Sequence, residues 1–298
     1  MQGKPVSAGQ QQGGLTMFKV YDSNFKEVKI PVDRLGFGSR ALEINVGPVI
    51  YENVYSQSRR ADTLVKRYAK DRQVSIVLMV SGMDETDFRM KRDTLYSFFR
   101  NLGIFFVAEE QQPFKLIKVI VNDDYDIDRQ TPEIAMPEIP LKVIDTPFKQ
   151  SLHTTGTIGS EGMLFNNKWA YGMGTWFAEN YWQYEFSGVK PTFYNAGDEE
   201  VKLIQQKESL ITLKINAVPT NGLIDIDDGT TTFKLWYDFK VGDVIRIHGK
   251  HVTLNGVNVL GDTNFNFLTI KTGWNYWDVR GVPGNDYEFK IDFRYLYD

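Results

Sequence analysis

The 298-residue sequence predicts a mainly β protein of two domains, and three observations carry that fold class. Aromatic residues make up 14% of the chain, with 15 Tyr and 20 Phe, more than helical proteins carry and suited to half-buried pleated surfaces. Convincing helical periodicity occurs in one stretch, residues 84–102. Beyond Pro147 the chain carries strand and turn signals alone. A chain this long exceeds what one core supports efficiently, so the expected division is an arm over 1–16, a first domain over 17–147 and a second over 148–298.

Residues 1–16 are rich in Gly and Gln without periodicity and read as a flexible arm, either native or a vector-derived or upstream-start extension. From Phe18 come short strand-like pieces broken by DRLGFGSR (33–40), then the charged stretch SRRADTLVKRYAKDR (58–72), which has too few apolar positions to bury itself. VSIVLMV (74–80) is an apolar run of strand length, as expected of a strand covered on both faces. The helix follows. Phe88, Leu95, Phe99 and Leu102 recur at helical spacing with Phe98 beside them, while Arg89, Lys91 and Arg92 are expected outward. Asp84 is the expected N-cap, Glu85 and Asp87 suit the first turn, and Gly103 can close the helix. IFFVA (104–108) and FKLIKVIVN (114–122) read as strands, and the Pro-punctuated 132–145 as an edge strand or linker.

In the second half, Asn221-Gly222, Asp228-Gly229, Gly249-Lys250 and Asn255-Gly256 mark turns at short intervals, as in a β-sandwich or jelly roll. The last strand alternates Tyr287, Phe289, Ile291, Phe293, Tyr295 and Tyr297 with Glu288, Lys290, Asp292 and Arg294, predicting one buried and one wet face.

Composition narrows function. A net charge of −4 without clustered Lys and Arg argues against a dedicated nucleic-acid binder. The absence of cysteine excludes disulfides and thiolate zinc sites, and neither a bilayer-length apolar run nor a secretory h-region occurs.

The candidate sites are weighed one by one. Asp124, Asp126 and Asp128 have the spacing of a calcium loop, but Arg129 stands where the loop needs Gly and Ala135 where it needs Glu, so the stretch reads as a polar hairpin tip. His248 and His251 flank a two-residue turn that sets the imidazoles side by side, and two His alone do not close a metal site. No nucleophile elbow, P-loop or dinucleotide fingerprint occurs, and the adjacent carboxylates Glu109-Glu110 and Glu199-Glu200 would point to opposite strand faces. No catalytic residue and no cofactor is expected. In the aromatic segment 165–188, Trp169, Trp176, Tyr181 and Trp182 could stack on sugar rings or bury in the core or a subunit interface, with the interface favoured.

The order of elements resembles the distal tail proteins of siphophages that infect Gram-positive bacteria. The resemblance runs from about Phe18 to Asp298. It rests on VSIVLMV after a basic stretch, D-x-x-x-F-x-x-x-R-x-x-L (84–95), FFVAEEQQPFKLIKVIVN, PTFYNAGDEEVK, LNGVNVLG and the closing GVPGNDYEFKIDFRYLYD. It implies an N-terminal β-sandwich plus one α-helix that forms a ring, a homohexamer, and a C-terminal galectin-like β-sandwich. The implied function is that of a baseplate hub in the virion tail tip, assembled in the host cytoplasm. Such a hub joins the tail tube protein to a tail-associated fibre or lysin protein and receptor-binding proteins, and lets DNA pass. Residues 58–72 match the belt that wraps the neighbouring subunit, which makes Arg59, Arg60 and Arg67 ring-contact candidates. Asp123, Asp124, Asp126 and Asp128 are candidates for a lumen that does not retain DNA. Under this reading Asn195-Ala196-Gly197-Asp198 is a tight turn, with Gly197 supplying an unusual backbone angle and Asn195 or Asp198 bonding locally. The rival reading is a carbohydrate-binding adhesin for host cell-wall polysaccharide, with Trp176 and Trp274 as glycan-contact candidates. HGKH (248–251) and GWNYWDVRG (273–281) hold galectin-site residue types without the galectin order.

Overall fold

The computed structural model describes residues 17–31, 40–57, 62–122, 125–131, 134–161, 169, 172–174 and 182–298. The chain divides into two compact units, one of residues 1–113 and 118–144 and the other of residues 114–117 and 145–298. Each is described by itself.

The first unit contains β1 (Phe18–Tyr21), β2 (Glu27–Val28), β3 (Arg40–Gln57), β4 (Asp62–Ser81), α1 (Glu85–Leu102), β5 (Ile104–Glu109), the later part of β6 (Lys115–Val121), β7 (Ile134–Ala135) and β8 (Glu138–Val143). The strands run in the order β2-β1-β5-β6-β8-β4-β3. Phe18, Val20, Ile76, Leu78, Phe105, Val107, Val119 and Ile139 bury on its inner side. Helix α1 has the predicted ends. Asp84 Oδ1 accepts from the Asp87 amide at 2.8 Å, and the Gly103 N–H reaches the Phe99 carbonyl at 3.2 Å with a φ of 61°.

Four expectations need correction here. Lys91 is buried, not outward, because position 91 falls on the stripe of Phe88 and Leu95; its stem packs while Nζ donates to the Ser81 carbonyl at 2.9 Å and to Asp87 at 2.5 Å. The run 74–80 is fully buried on one face only: Val74, Ile76, Leu78 and Val80 are inside while Ser75, Val77 and Met79 are half-buried. β8 is neither an edge nor a linker but lies between β4 and β6. Pro140 is tolerated there because its carbonyl, which accepts from the Asn122 amide at 3.0 Å, sets the side its missing N–H would also face, where β6 has already ended. Finally, 125–131 is more than a polar tip. Ile127 is buried, Tyr125 packs edge-on against Tyr96 at 5.5 Å, and the Arg129 guanidinium lies 5.6 Å from the Phe88 ring centre.

The second unit comprises β9 (Lys149–Ser151), α2 (Thr155–Glu161), β10 (Glu185–Ser187), β11 (Thr192–Asn195), β12 (Val201–Lys202), β13 (Leu210–Ile215), β14 (Leu223–Asp227), β15 (Thr232–Trp236), β16 (Val244–His248), β17 (His251–Leu254), β18 (Val257–Asn258), β19 (Thr269–Ile270), β20 (Gly273–Tyr276), β21 (Asp278–Arg280), β22 (Tyr287–Asp292) and β23 (Leu296–Tyr297). A six-stranded sheet runs β10-β22-β13-β16-β17-β18, accompanied by β15-β14-β21 and the pairs β11-β20, β12-β19 and β9-β23. Ile211, Leu213, Ile245, Phe289 and Ile291 of the large sheet share one buried cluster with Phe193, Ile224, Phe233 and Val279 of the smaller ones and with Trp277 between β20 and β21. That shared core is the sandwich the turn spacing predicts. His248 and His251 pair across the Gly249-Lys250 turn as expected, both exposed.

Besides helix α2, in a half of the chain read as strands and turns alone, three features of this unit differ from expectation. Gly197 has no positive φ; what requires glycine is close approach, since a Cβ would lie 2.6 Å from the Leu296 carbonyl oxygen. The local bonding is as expected, with Asn195 Oδ1 accepting from the Gly197 amide at 3.0 Å and Nδ2 donating to the Glu199 carbonyl at 3.1 Å. The turn also holds the terminal strand, because the Asp198 amide donates to the Leu296 carbonyl at 2.8 Å. Arg294 leaves the wet face and buries, donating from Nη1 to the carbonyls of Ser151, at 2.8 Å, and Leu152. Its desolvation pulls the guanidinium pKa down to about 10. Strand β22 ends at Asp292, so the alternation that held to that point no longer dictates where Arg294 faces. Trp169 and Trp182 pack in the core of their own chain, neither on a sugar face nor in a subunit interface, with Trp169 edge-on to Tyr295 at 5.6 Å. Trp176 and Tyr181 lie outside the described residues.

Candidate assembly surface

The charged stretch that follows residue 58 becomes regular structure. From residue 62 onward it is part of β4, which pairs antiparallel with β3 from Asp62 to Met79. Only the part from Gln73 onward gains a second neighbour, β8. Residues 62–72 pair with β3 alone, a two-stranded ribbon that extends roughly 35 Å at about 3.3 Å per residue. Register shifts at Val46/Val49, Ile50/Tyr51 and Val54/Tyr55 add local twist.

Both faces of the outer part of this ribbon are wet, whereas Val49 and Arg72, paired at its base, are buried. Residues 62–68 are all exposed, and among them Leu64 is 50%, Val65 64% and Tyr68 39% exposed. Across the hairpin, Ile50, Val54 and Tyr55 are exposed as well. Cross-strand contacts hold the ribbon together: Lys70 Nζ lies 2.7 Å from Glu52, and the Arg67 guanidinium sits 4.1 Å from the Tyr51 ring centre. The bond from Lys70 holds the Glu52 carboxyl below its ordinary pKa and raises that of Lys70. A two-stranded ribbon with uncovered aliphatic side chains is marginal in water, and contiguous exposed apolar surface marks an interaction site. Strand β3 also ends the sheet order, leaving an 18-residue edge, against only two residues for β2 at the other end.

Of the sequence-derived ring-contact candidates, Arg67 lies on this ribbon, while Arg59 and Arg60 fall outside the described residues. Of the lumen candidates, Asp126 and Asp128 are exposed on the segment that covers α1, and Asp123 and Asp124 are outside the described residues. Trp274, in the second unit, is 37% exposed and lies 5.4 Å from Tyr194. Sequence reasoning missed Ile50, Val54, Tyr55, Leu64, Val65 and Tyr68. The signal for Ile50, Val54 and Tyr55 was the β-branched and aromatic content of VIYENVY (49–55), which predicts a strand with no turn before 58. Among the described residues, no three His, Asp or Glu side chains gather as a metal site, and no helix is long and apolar enough to cross a membrane.

No family model matches the chain, and no curated protein matches it in sequence. Solved structures do match. The crystal structure of the SPP1 Dit (gp 19.1) protein, described as a paradigm of the hub adsorption apparatus in phages infecting Gram-positive bacteria, aligns with a TM-score of 0.61 at 10% identity, over 94% of this chain and 99% of that one. Chains of the phage p2 baseplate in its activated conformation align more distantly, with TM-scores of 0.40 (with Sr, 94% of this chain and 98% of that one) and 0.39 (with Ca, 92% and 97%), both at 15% identity. The chain thus has the fold of a siphophage distal tail hub protein, the fold its sequence resemblance implies.

Proposed function

We propose that this protein is a structural, non-catalytic hub of a phage tail tip, in which copies of the chain close into a ring through the β3–β4 ribbon. The observation that carries the reading is the ribbon itself: residues 62–72 form a regular strand with aliphatic and aromatic side chains uncovered on both sides. A second copy is the fitting occupant, because heterologous contacts between one element and a different surface of the next copy generate rings when the rotation closes. Six copies is the number the resemblance implies. In this role the ring joins the tail tube protein to a tail-associated fibre or lysin protein and leaves a passage for DNA. Exposed carboxylates such as Asp126 and Asp128 suit the lining of such a passage, since basic groups there would hold phosphates. The second unit, galectin-like in this reading, presents docking surface for receptor-binding proteins. The test is the native mass of the full chain and of a variant with Arg59, Arg60 and Arg67 changed to Glu. A closed oligomer that the variant weakens while remaining folded supports the ribbon contact; an unchanged assembly removes it.

A further inference from the structure

A second surface differs in kind from the ribbon. From Trp274 to Arg280 the chain alternates strictly: Asn275, Trp277 and Val279 are buried, while Trp274, Tyr276, Asp278 and Arg280 turn outward. Strand β11 lies beside it with Tyr194 opposite Trp274 and Thr192 opposite Tyr276, and Lys190, two residues before Thr192, reaches Asp278 at 3.1 Å. The rings of Trp274 and Tyr276 are nearly parallel, 27° apart with centres 6.4 Å from each other, and Tyr194 stands edge-on to Trp274. Tyr276 is 69% exposed. The inward side chains of both strands already meet the demand of the core, so folding does not require an indole and a phenol on the outer side. On the same outward row, Arg280 is fixed at 2.8 Å to Asp227.

We propose that this face binds a neutral pyranose saccharide, its C–H face stacked on Trp274 and Tyr276 and its hydroxyls bonded at the edge by Asp278 and Lys190. The chemistry favours a sugar over a protein. Protein interface cores are depleted of charged residues, whereas these outward positions interleave aromatics with Lys190, Asp278 and Arg280 and carry no aliphatic side chain. A pyranose offers an apolar face and hydroxyls that both donate and accept, which matches flat rings beside a carboxylate and an ammonium. The ion pair holds Asp278 and Lys190 in place before the ligand arrives.

The test uses the full chain and a panel of tetrasaccharides of glucose, galactose and N-acetylglucosamine, followed by calorimetry and tryptophan fluorescence. The expected result is saturable binding of at least one member that quenches or shifts the fluorescence. Tyr276→Ala and Trp274→Ala should each weaken it roughly tenfold or more, as truncating a central aromatic contact does, whereas Trp236→Ala leaves it unchanged. Asp278→Asn weakens it with the stacking rings intact, a readout that a folding defect at Trp274 would not mimic. No binding across the panel, or binding indifferent to both ring deletions, overturns the proposal. So does a change of native mass in Tyr276→Ala, which would make the face a contact between copies. Failure of ring assembly alone leaves this binding result as it stands, since the face belongs to the single chain.

Discussion

Residues 62–72 and residues 287–297 are both extended segments of eleven positions, yet they obey different rules. In the terminal segment every second side chain, from Tyr287 to Tyr297, is buried in an aromatic core where the hydroxyls of Tyr184 and Tyr295 meet at 2.5 Å and that of Tyr297 donates to the Met173 carbonyl at 3.0 Å. From position 62 to 68 no side chain is even half-buried, and the strand is held by its ladder and by pairs such as Glu52 with Lys70. The comparison separates two sources of strand structure. One is burial, which writes a period of two into the sequence. The other is cross-strand pairing, which writes little and leaves the side chains available to another chain.

The sharpest way to break the comparison is to remove core from the second unit. Trp277→Ala deletes one of the largest fully buried side chains, packed 5.2 Å from Phe193, and should cost about 3–5 kcal/mol in urea unfolding. Next comes the clamp on the terminal strand. Gly197→Ala drives a methyl toward the Leu296 carbonyl and should cost about 1–3 kcal/mol, with early loss of amide protection at Leu296 to Asp298. Arg294→Met keeps the apolar stem but strips donors from the Ser151 and Leu152 carbonyls, for a similar loss of about 1–3 kcal/mol.

A smaller effect has the opposite sign. Burial, then the charges of Asp298, Glu200 and Asp198, raise the Glu199 carboxyl above its ordinary 4.5. A raised carboxyl favours folding fully below the unfolded value and loses that contribution as pH rises through the folded value. Glu199→Gln should therefore stabilise the protein at pH 7 by less than about 1 kcal/mol, because the group is partly solvated and screened. The gain should vanish below pH 4.5, as read by melting temperature across pH.

These contrasts also explain how much of the molecule was legible in the sequence. Helix α1 was readable at both ends because Asp84 and Gly103 act locally, and the alternation from Tyr287 to Asp292 was readable because burial imposes it. The His248–His251 turn was readable from two residues between strand-like runs. The pairing of the ribbon was not, because a strand without a core face has no burial period, and its charges showed only that the stretch could not bury itself. Lys91 and Arg294 escaped because charge predicts exposure, whereas a long stem beside waiting carbonyls or a carboxylate reverses it. Gly197 escaped because the residue that demands glycine, Leu296, is distant in sequence. Of the candidate surfaces, Arg67 and Trp274 could be named in advance, but their neighbours Tyr51, Tyr194 and Tyr276 are set by register that only the fold supplies.

The central claim is that the uncovered ribbon is covered by another copy. Its most direct test is native mass spectrometry of the full chain alongside a variant carrying Val54→Glu, Leu64→Glu and Val65→Glu, with unfolding followed on the same samples. Because these side chains are exposed, each substitution should change monomer stability by no more than about 0.5 kcal/mol. The account expects a closed ring for the unaltered chain and a folded monomer for the variant. A monomer at every concentration for the unaltered chain, or an intact ring in the variant, would contradict it.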